Sequence, residues 1–288
     1  MSGFAPFFNK RRKFIKQSLG VSALYFLNPF KSLGKLIEEK PLTQEKMIQL
    51  IKKSDQYNDV IFGGRFHANK PVYNGKTNVK PYSNLFYWSN GYVNDACEFG
   101  LHPHEGFEIM TFLFEGTIEH YDTETQIWTP LNAGDFQIIQ SNSGIQHQEK
   151  VTKGSRAFQI WFDPNYKKAM QLKPSYIDYH AKNFSSVLEN NILTTTYIGE
   201  GSDAKALTPG LVVKKLTFSE EIKVKLSLNA NSCYTFYVLN GSGMVENHQV
   251  EQDDAIRVSD TTELEFAMKG ELFYIETPAQ LDYNPVWL

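Results

Sequence analysis

From about residue 56 onward the chain is written in short apolar or alternating runs, parted at short intervals by Gly, Asn, Asp and Pro. That rhythm predicts the strands of β-sandwiches or barrels. The pattern ahead of it differs. In "LTQEKMIQLIKKSD" (42–55) the apolar positions Met47, Ile48, Leu50 and Ile51, with Thr43 as N-cap, predict a short helix. Earlier still, Gln17 to Phe30 is a modestly apolar, uncharged stretch of 14 residues, too short for a hydrocarbon core that needs ~20.

The alternating region repeats itself. "TFLFEGTIEHYD" (111–122) matches "TFYVLNGSGMVEN" (235–247) around a shared turn at Gly116 and Gly241. "LNAGDFQII" (131–139) parallels "VEQDDAIRV" (250–258), and "AFQIWFDP" (157–164) parallels "LFYIETP" (272–278). Three blocks in one order imply two copies of a small barrel. The expected layout is therefore an N-terminal segment over 1–37, a helical linker over 38–55, one barrel over 56–170 and a second over 171–288.

Charge separates the first segment from the rest. Residues 1–37 hold seven basic and no acidic side chains, which leaves 22 basic against 32 acidic residues in the body. An acidic body disfavours nucleic-acid binding. Arg11 and Arg12 before the apolar stretch resemble a twin-arginine export signal, so an exported, periplasmic protein is expected, cytoplasmic only if the segment is no signal. No stable membrane span is expected beyond an uncleaved signal. Cys97 and Cys233 are too few and too far apart for a disulfide framework or a thiolate site, so a metal here needs nitrogen and oxygen ligands.

Those ligands are at hand in the first copy. In "GLHPHEGFE" His102 and His104 alternate along a strand and so share a face, and in "SGIQHQE" His147 and Glu149 do the same. Three neutral imidazoles and one carboxylate around a divalent ion leave coordination positions open, which suits iron, manganese, nickel or copper better than structural zinc. A lone His-x-His pair is as readily an ordinary pair of strand histidines; the second pair sharpens the reading. The other copy lacks the set: the positions matching His104 and His147 by count are Asn229 and Phe266.

The stretches "HPHEGFE", "FEGTIEHYD", "AGDFQII" and "SGIQHQE" resemble the pirin family of the cupin superfamily, and the order of blocks from about 57 to 278 carries the resemblance over most of the chain. It implies an all-β fold of two tandem cupin barrels of jelly-roll type. It also implies mononuclear iron(II) in the first barrel, with manganese, nickel, copper or zinc as alternatives, on His102, His104, His147 and Glu149. Many cupins use a glutamate four residues after the second histidine. Strand parity puts Glu108 on the metal-facing side, yet pirin-like proteins use the later carboxylate, so Glu108 is expected beside the metal as a base or alternative ligand. Glu105, where many relatives have arginine, and Gln148 depart from the usual pattern beside the site.

Several pirin-like proteins cleave flavonols with dioxygen, which implies here a flavonol-like or other enolisable aromatic substrate, O2, and Glu149 or Glu108 as general base. Phe107, Met110, Phe112, Phe136 and Phe158 are candidate pocket walls, against their ordinary reading as barrel core. The alternatives are a non-enzymatic redox sensor or partner-binding protein, and an oxygenase or isomerase acting on another enolisable molecule.

Overall fold

The computed structural model describes residues 46–287; the segment expected to be an export signal and the start of the expected linker lie outside the described residues. All strand pairs are antiparallel, and they form three sheets. The first barrel closes a four-stranded sheet against a seven-stranded one. The smaller runs in the order Cys97–His104, Ile145–Val151, Thr117–Asp122, Trp128–Asn132, and the larger has Glu108–Glu115 and Arg156–Phe162 near its middle. The second barrel is one eight-stranded sheet built on Val212–Ser227, Ser232–Val245 and Glu263–Pro278. Two of these long strands bend past each other at Gly241 and Gly270, both in left-handed conformations, where a Cβ on either would meet the other's backbone at 2.1 Å.

The expected helix is absent. Met47–Ile51 is a strand, paired residue for residue with Ala255–Ser259, followed by a single 3-10 turn over Lys53–Asp55. Its apolar set suits either element, and so short a helix is marginal by itself. The exposed edge of the second barrel decides: Ile48 and Leu50, two apart on one face, pack into that barrel's core. Ser175–Tyr179, which the sequence groups with the second barrel, pairs with Phe136–Gln140 of the first. The barrels thus exchange flanking strands across the expected boundary.

At its centre the larger sheet of the first barrel is buried on both faces. Along Glu108–Glu115, Ile109 and Leu113 point into the first barrel, whereas Met110 and Phe112 point out of it toward the second. Phe112 packs on Phe273 with ring centres 4.9 Å apart, and Phe158 on Tyr237 at 4.8 Å. These contacts weld the barrels through one continuous apolar layer that also takes in Trp88, Phe136 and Ile275. The second barrel's interior is filled by hydrocarbon, with Phe266 and Met268 fully buried.

Candidate metal centre

Register builds the site. In the four-stranded sheet His147 lies directly opposite His102, and Ile145 opposite His104. Cross-strand partners share a face, so three imidazoles converge: the ring centres of His102 and His147 are 4.4 Å apart, and those of His104 lie 4.9 Å from each. One nitrogen from each ring falls within 4.8 Å of the others. On the far side of the same strand, Glu149 faces His120. Opposite the step from His147 to Glu149 the facing strand carries one extra residue, a bulge between Phe99 and His102, while pairing with the strand of His120 runs on without a shift.

The hydrogen bonds orient these groups. His102 Nδ1 donates to the Gly100 carbonyl at 2.8 Å, which sets the tautomer with the lone pair on Nε2. His120 Nε2 donates to Glu149 Oε1 at 2.8 Å, and Gln159 Nε2 reaches the same oxygen at 3.2 Å. That oxygen is 4.0 Å from His147 Nδ1, so His120, His147 and Glu149 make a second donor cluster that shares His147 with the first.

Electrostatics completes the description. Burial, reinforced by the neighbouring His102, pushes the His104 pKa down to about 3. Burial likewise holds His147 well below the usual imidazole range. For Glu149 burial opposes ionisation, but the His120 hydrogen bond and the surrounding imidazoles outweigh it and lower its pKa to about 2. At neutral pH the site therefore presents neutral imidazoles at 104 and 147 and a charged carboxylate.

His147 tests whether this set fits a metal. Its ring is fully buried, and neither nitrogen has a hydrogen-bond partner. A buried polar group left unpaired is destabilising by about 1–3 kcal/mol, and a divalent ion would accept the lone pair that nothing else takes. Three imidazoles converge on one point and Glu149 joins them only through His147, in the adjoining cluster; nitrogen donors beside such an anionic oxygen fit a borderline divalent metal.

Glu108 is elsewhere. Its carboxylate is fully buried and accepts from the backbone N–H groups of Leu207 and Thr208 at 2.6 and 3.0 Å, from Thr208 Oγ1 at 2.9 Å and from Gln140 Nε2 at 3.2 Å. Burial drives its pKa up despite those four donors. Parity fails to carry over from His104 because the chain turns between them, at Gly106 in a left-handed conformation where a Cβ would strike the Tyr166 ring at 2.4 Å. Glu108 fastens a loop of the second barrel, the one between its strands Ile192–Ile198 and Val212–Ser227. Glu108→Gln should lower stability by about 1–3 kcal/mol and leave metal stoichiometry unchanged, as thermal melts and metal analysis of the purified variant would show. A variant that melts normally but loses its metal would return Glu108 to the site.

Four of the five candidate wall residues are corrected in the same way. Met110, Phe112, Phe136 and Phe158 lie in the layer between the barrels. Only Phe107 borders the histidines, 5.2 Å from His104 between ring centres. Its companion is Trp161, at 5.5 Å from His104 and 5.1 Å from Phe107, which donates its indole N–H to Gln159. In "AFQIWF" the odd positions 159 and 161 face the site and the even positions 158, 160 and 162 face the second barrel. The polar Gln159 was the available sign of which face is which.

The pirin family model matches residues 44–162. Among relatives, a quercetin 2,3-dioxygenase of Escherichia coli K12 is 41% identical over 23% of this chain and 29% of its own length. A pirin-like protein of Caulobacter vibrioides is 31% identical over 42% of this chain and 50% of its own. The chain thus spans no more than half of either relative. Among solved structures, the E. coli bacterial pirin YhhW in complex with nickel(II) superposes with a TM-score of 0.67 at 19% identity, covering 81% of this chain and all of that one.

Proposed function

We infer, from the match of the pirin family model to residues 44–162 and from the donor set in the first barrel, that this protein is a pirin-like, metal-dependent dioxygenase acting on a flavonol-like substrate. The observation that carries the reading is His147, a neutral, fully buried imidazole with both nitrogens unpaired among two further histidines and an ionised glutamate. His102, His104, His147 and Glu149 would hold the ion, iron(II) first and nickel(II) as the relative's precedent. Such an ion supplies Lewis-acid stabilisation for an ionised hydroxyl and a redox partner for dioxygen.

The chain's own residues supply the rest. Phe107 and Trp161 offer rings against which a planar substrate would stack beside His104. Glu149, held by His120 and Gln159, is the carboxylate positioned to receive the substrate's hydroxyl proton. Its low pKa makes it a weak base, so it would receive that proton only from a hydroxyl whose acidity a bound ion had raised. Export by the twin-arginine-type segment belongs to the same proposal.

The test follows the visible absorbance of quercetin mixed with iron(II)-loaded protein in air, beside His147→Ala treated identically. Loss of the band over many turnovers, with the intact site alone, is the expected result. A band that shifts and persists would instead mark a site that binds enolates without oxidising them, and the dioxygenase reading would fall.

A further inference from the structure

The last described residues return to the first barrel. After the strand Glu263–Pro278 of the second barrel, Tyr283, Pro285 and Trp287 are half-buried while Asp282, Asn284 and Val286 are exposed. One face of this extended tail therefore packs, although it joins no sheet. Its anchor is Asp163, just past the strand Arg156–Phe162. The Asp163 Oδ2 accepts the backbone N–H groups of Val286 and Trp287, and the Asp163 carbonyl accepts the Tyr283 hydroxyl at 2.8 Å.

Trp287 lands on the aromatic wall of the histidine site. Its ring stacks 6.2 Å from Phe86 and meets Phe107 edge-on at 5.6 Å, and Phe107 in turn touches His104 and Trp161. Phe86 and Phe107, nearly inaccessible in this arrangement, form one apolar cluster with Trp161 and Trp287.

The anchorage is incomplete. Asp163 Oδ1 and the Trp287 indole N–H are both buried without partners, and a closed state that strands two polar atoms is held less firmly than its contacts suggest. Burial pushes the Asp163 carboxyl up to about 6, against the pull of the two N–H groups, so near neutral pH the closed tail covers an unfavourably buried charge.

We propose that residues 283–287 form a removable wall of the histidine pocket: Trp287 closes the aromatic side next to His104, and release of the tail from Asp163 opens that side to planar aromatic ligands. The proposal rests on reading the histidine cluster as a metal centre and is independent of which substrate is oxidised there. Trp287 then acts as a size filter, passing small ligands while the tail is down and multi-ring ones only when it lifts.

The experiment uses full-length protein loaded with nickel(II) and follows metal removal by the planar chromogenic chelator 4-(2-pyridylazo)resorcinol, with azide binding as the small-ligand comparison. A chain ending at Asp282 and the variant Trp287→Ala should lose nickel roughly tenfold faster or more, Trp287→Phe should restore most of the slow rate, and azide affinity should hardly move. Equal removal rates in all the proteins overturn the proposal. If truncation prevents folding, Trp287→Ala alone decides, since a half-buried side chain near the chain end can be trimmed with the backbone anchor in place. An unchanged rate for that variant is again fatal. A protein inert toward quercetin whose nickel nonetheless escapes faster on truncation would lose the flavonol reading and keep the removable wall.

Discussion

Replacing His147 by leucine is expected to abolish metal binding and, in the metal-free protein, to raise the unfolding free energy by about 1–3 kcal/mol. Both effects have one origin. The imidazole is fully buried with neither nitrogen paired, so the metal-free fold carries a desolvated polar ring that leucine, of similar volume, replaces with packed hydrocarbon. The second barrel has adopted that solution: Phe266 stands at the position matching His147 by count and Met268 two residues on, both buried in its core. Glu149 loses a neighbour in the variant but keeps its hydrogen bonds from His120 and Gln159. Metal affinity should fall by more than the 10–100-fold that loss of an outer hydrogen-bond partner brings. Calorimetry with and without nickel(II) checks both halves, because the wild type should show a metal-dependent rise in Tm that the variant lacks. A metal-free variant less stable than wild type would mean that ordered water already satisfies the ring.

The parts of this site that were legible in the sequence are those set by strand periodicity. His102 with His104, and His147 with Glu149, are two apart with no extra residue between them, and alternation alone assigns each pair to one face. Periodicity stops at the turn. Gly106 resets the phase, so Glu108 carries no information from His104. Faces were also ambiguous wherever both are apolar: with a second barrel packed on its outside, the strand Glu108–Glu115 is buried on either side, and Met110 or Phe112 reads as pocket or interface equally well. Contacts across long stretches of chain were invisible. Met47–Ile51 becomes a strand through an edge some 200 residues away, and Trp287 reaches Phe107 from the far end of the sequence. In each case a partner settles what local propensity leaves open.

The same long-range packing makes Asp253 the residue whose loss should unfold most. Its Oδ1 accepts from Arg156 Nη2 at 3.0 Å, the Tyr92 hydroxyl at 2.6 Å and Asn90 Nδ2 at 3.1 Å, all from the first barrel, while Oδ2 accepts from Lys53 at 2.9 Å. Arg156 is itself buried and spends a second donor on the Leu239 carbonyl of the second barrel. Removing one partner of a buried ion pair strands the other, which is destabilising by about 3–5 kcal/mol. For a chain of this size each kcal/mol shifts Tm by about 2–4 °C, so Asp253→Ala should melt far below wild type. The backbone at 253 is left-handed, with φ of 73°, a conformation alanine resists and asparagine tolerates. Asp253→Asn therefore isolates the charge and should account for most of the loss. Arg156→Met in the same chain should then recover stability, since it removes the stranded cation and restores an apolar contact. A double variant no better than Asp253→Asn alone would show that the two barrels are held by the aromatic layer of Phe112, Phe158 and Phe273, with the ion pair contributing little.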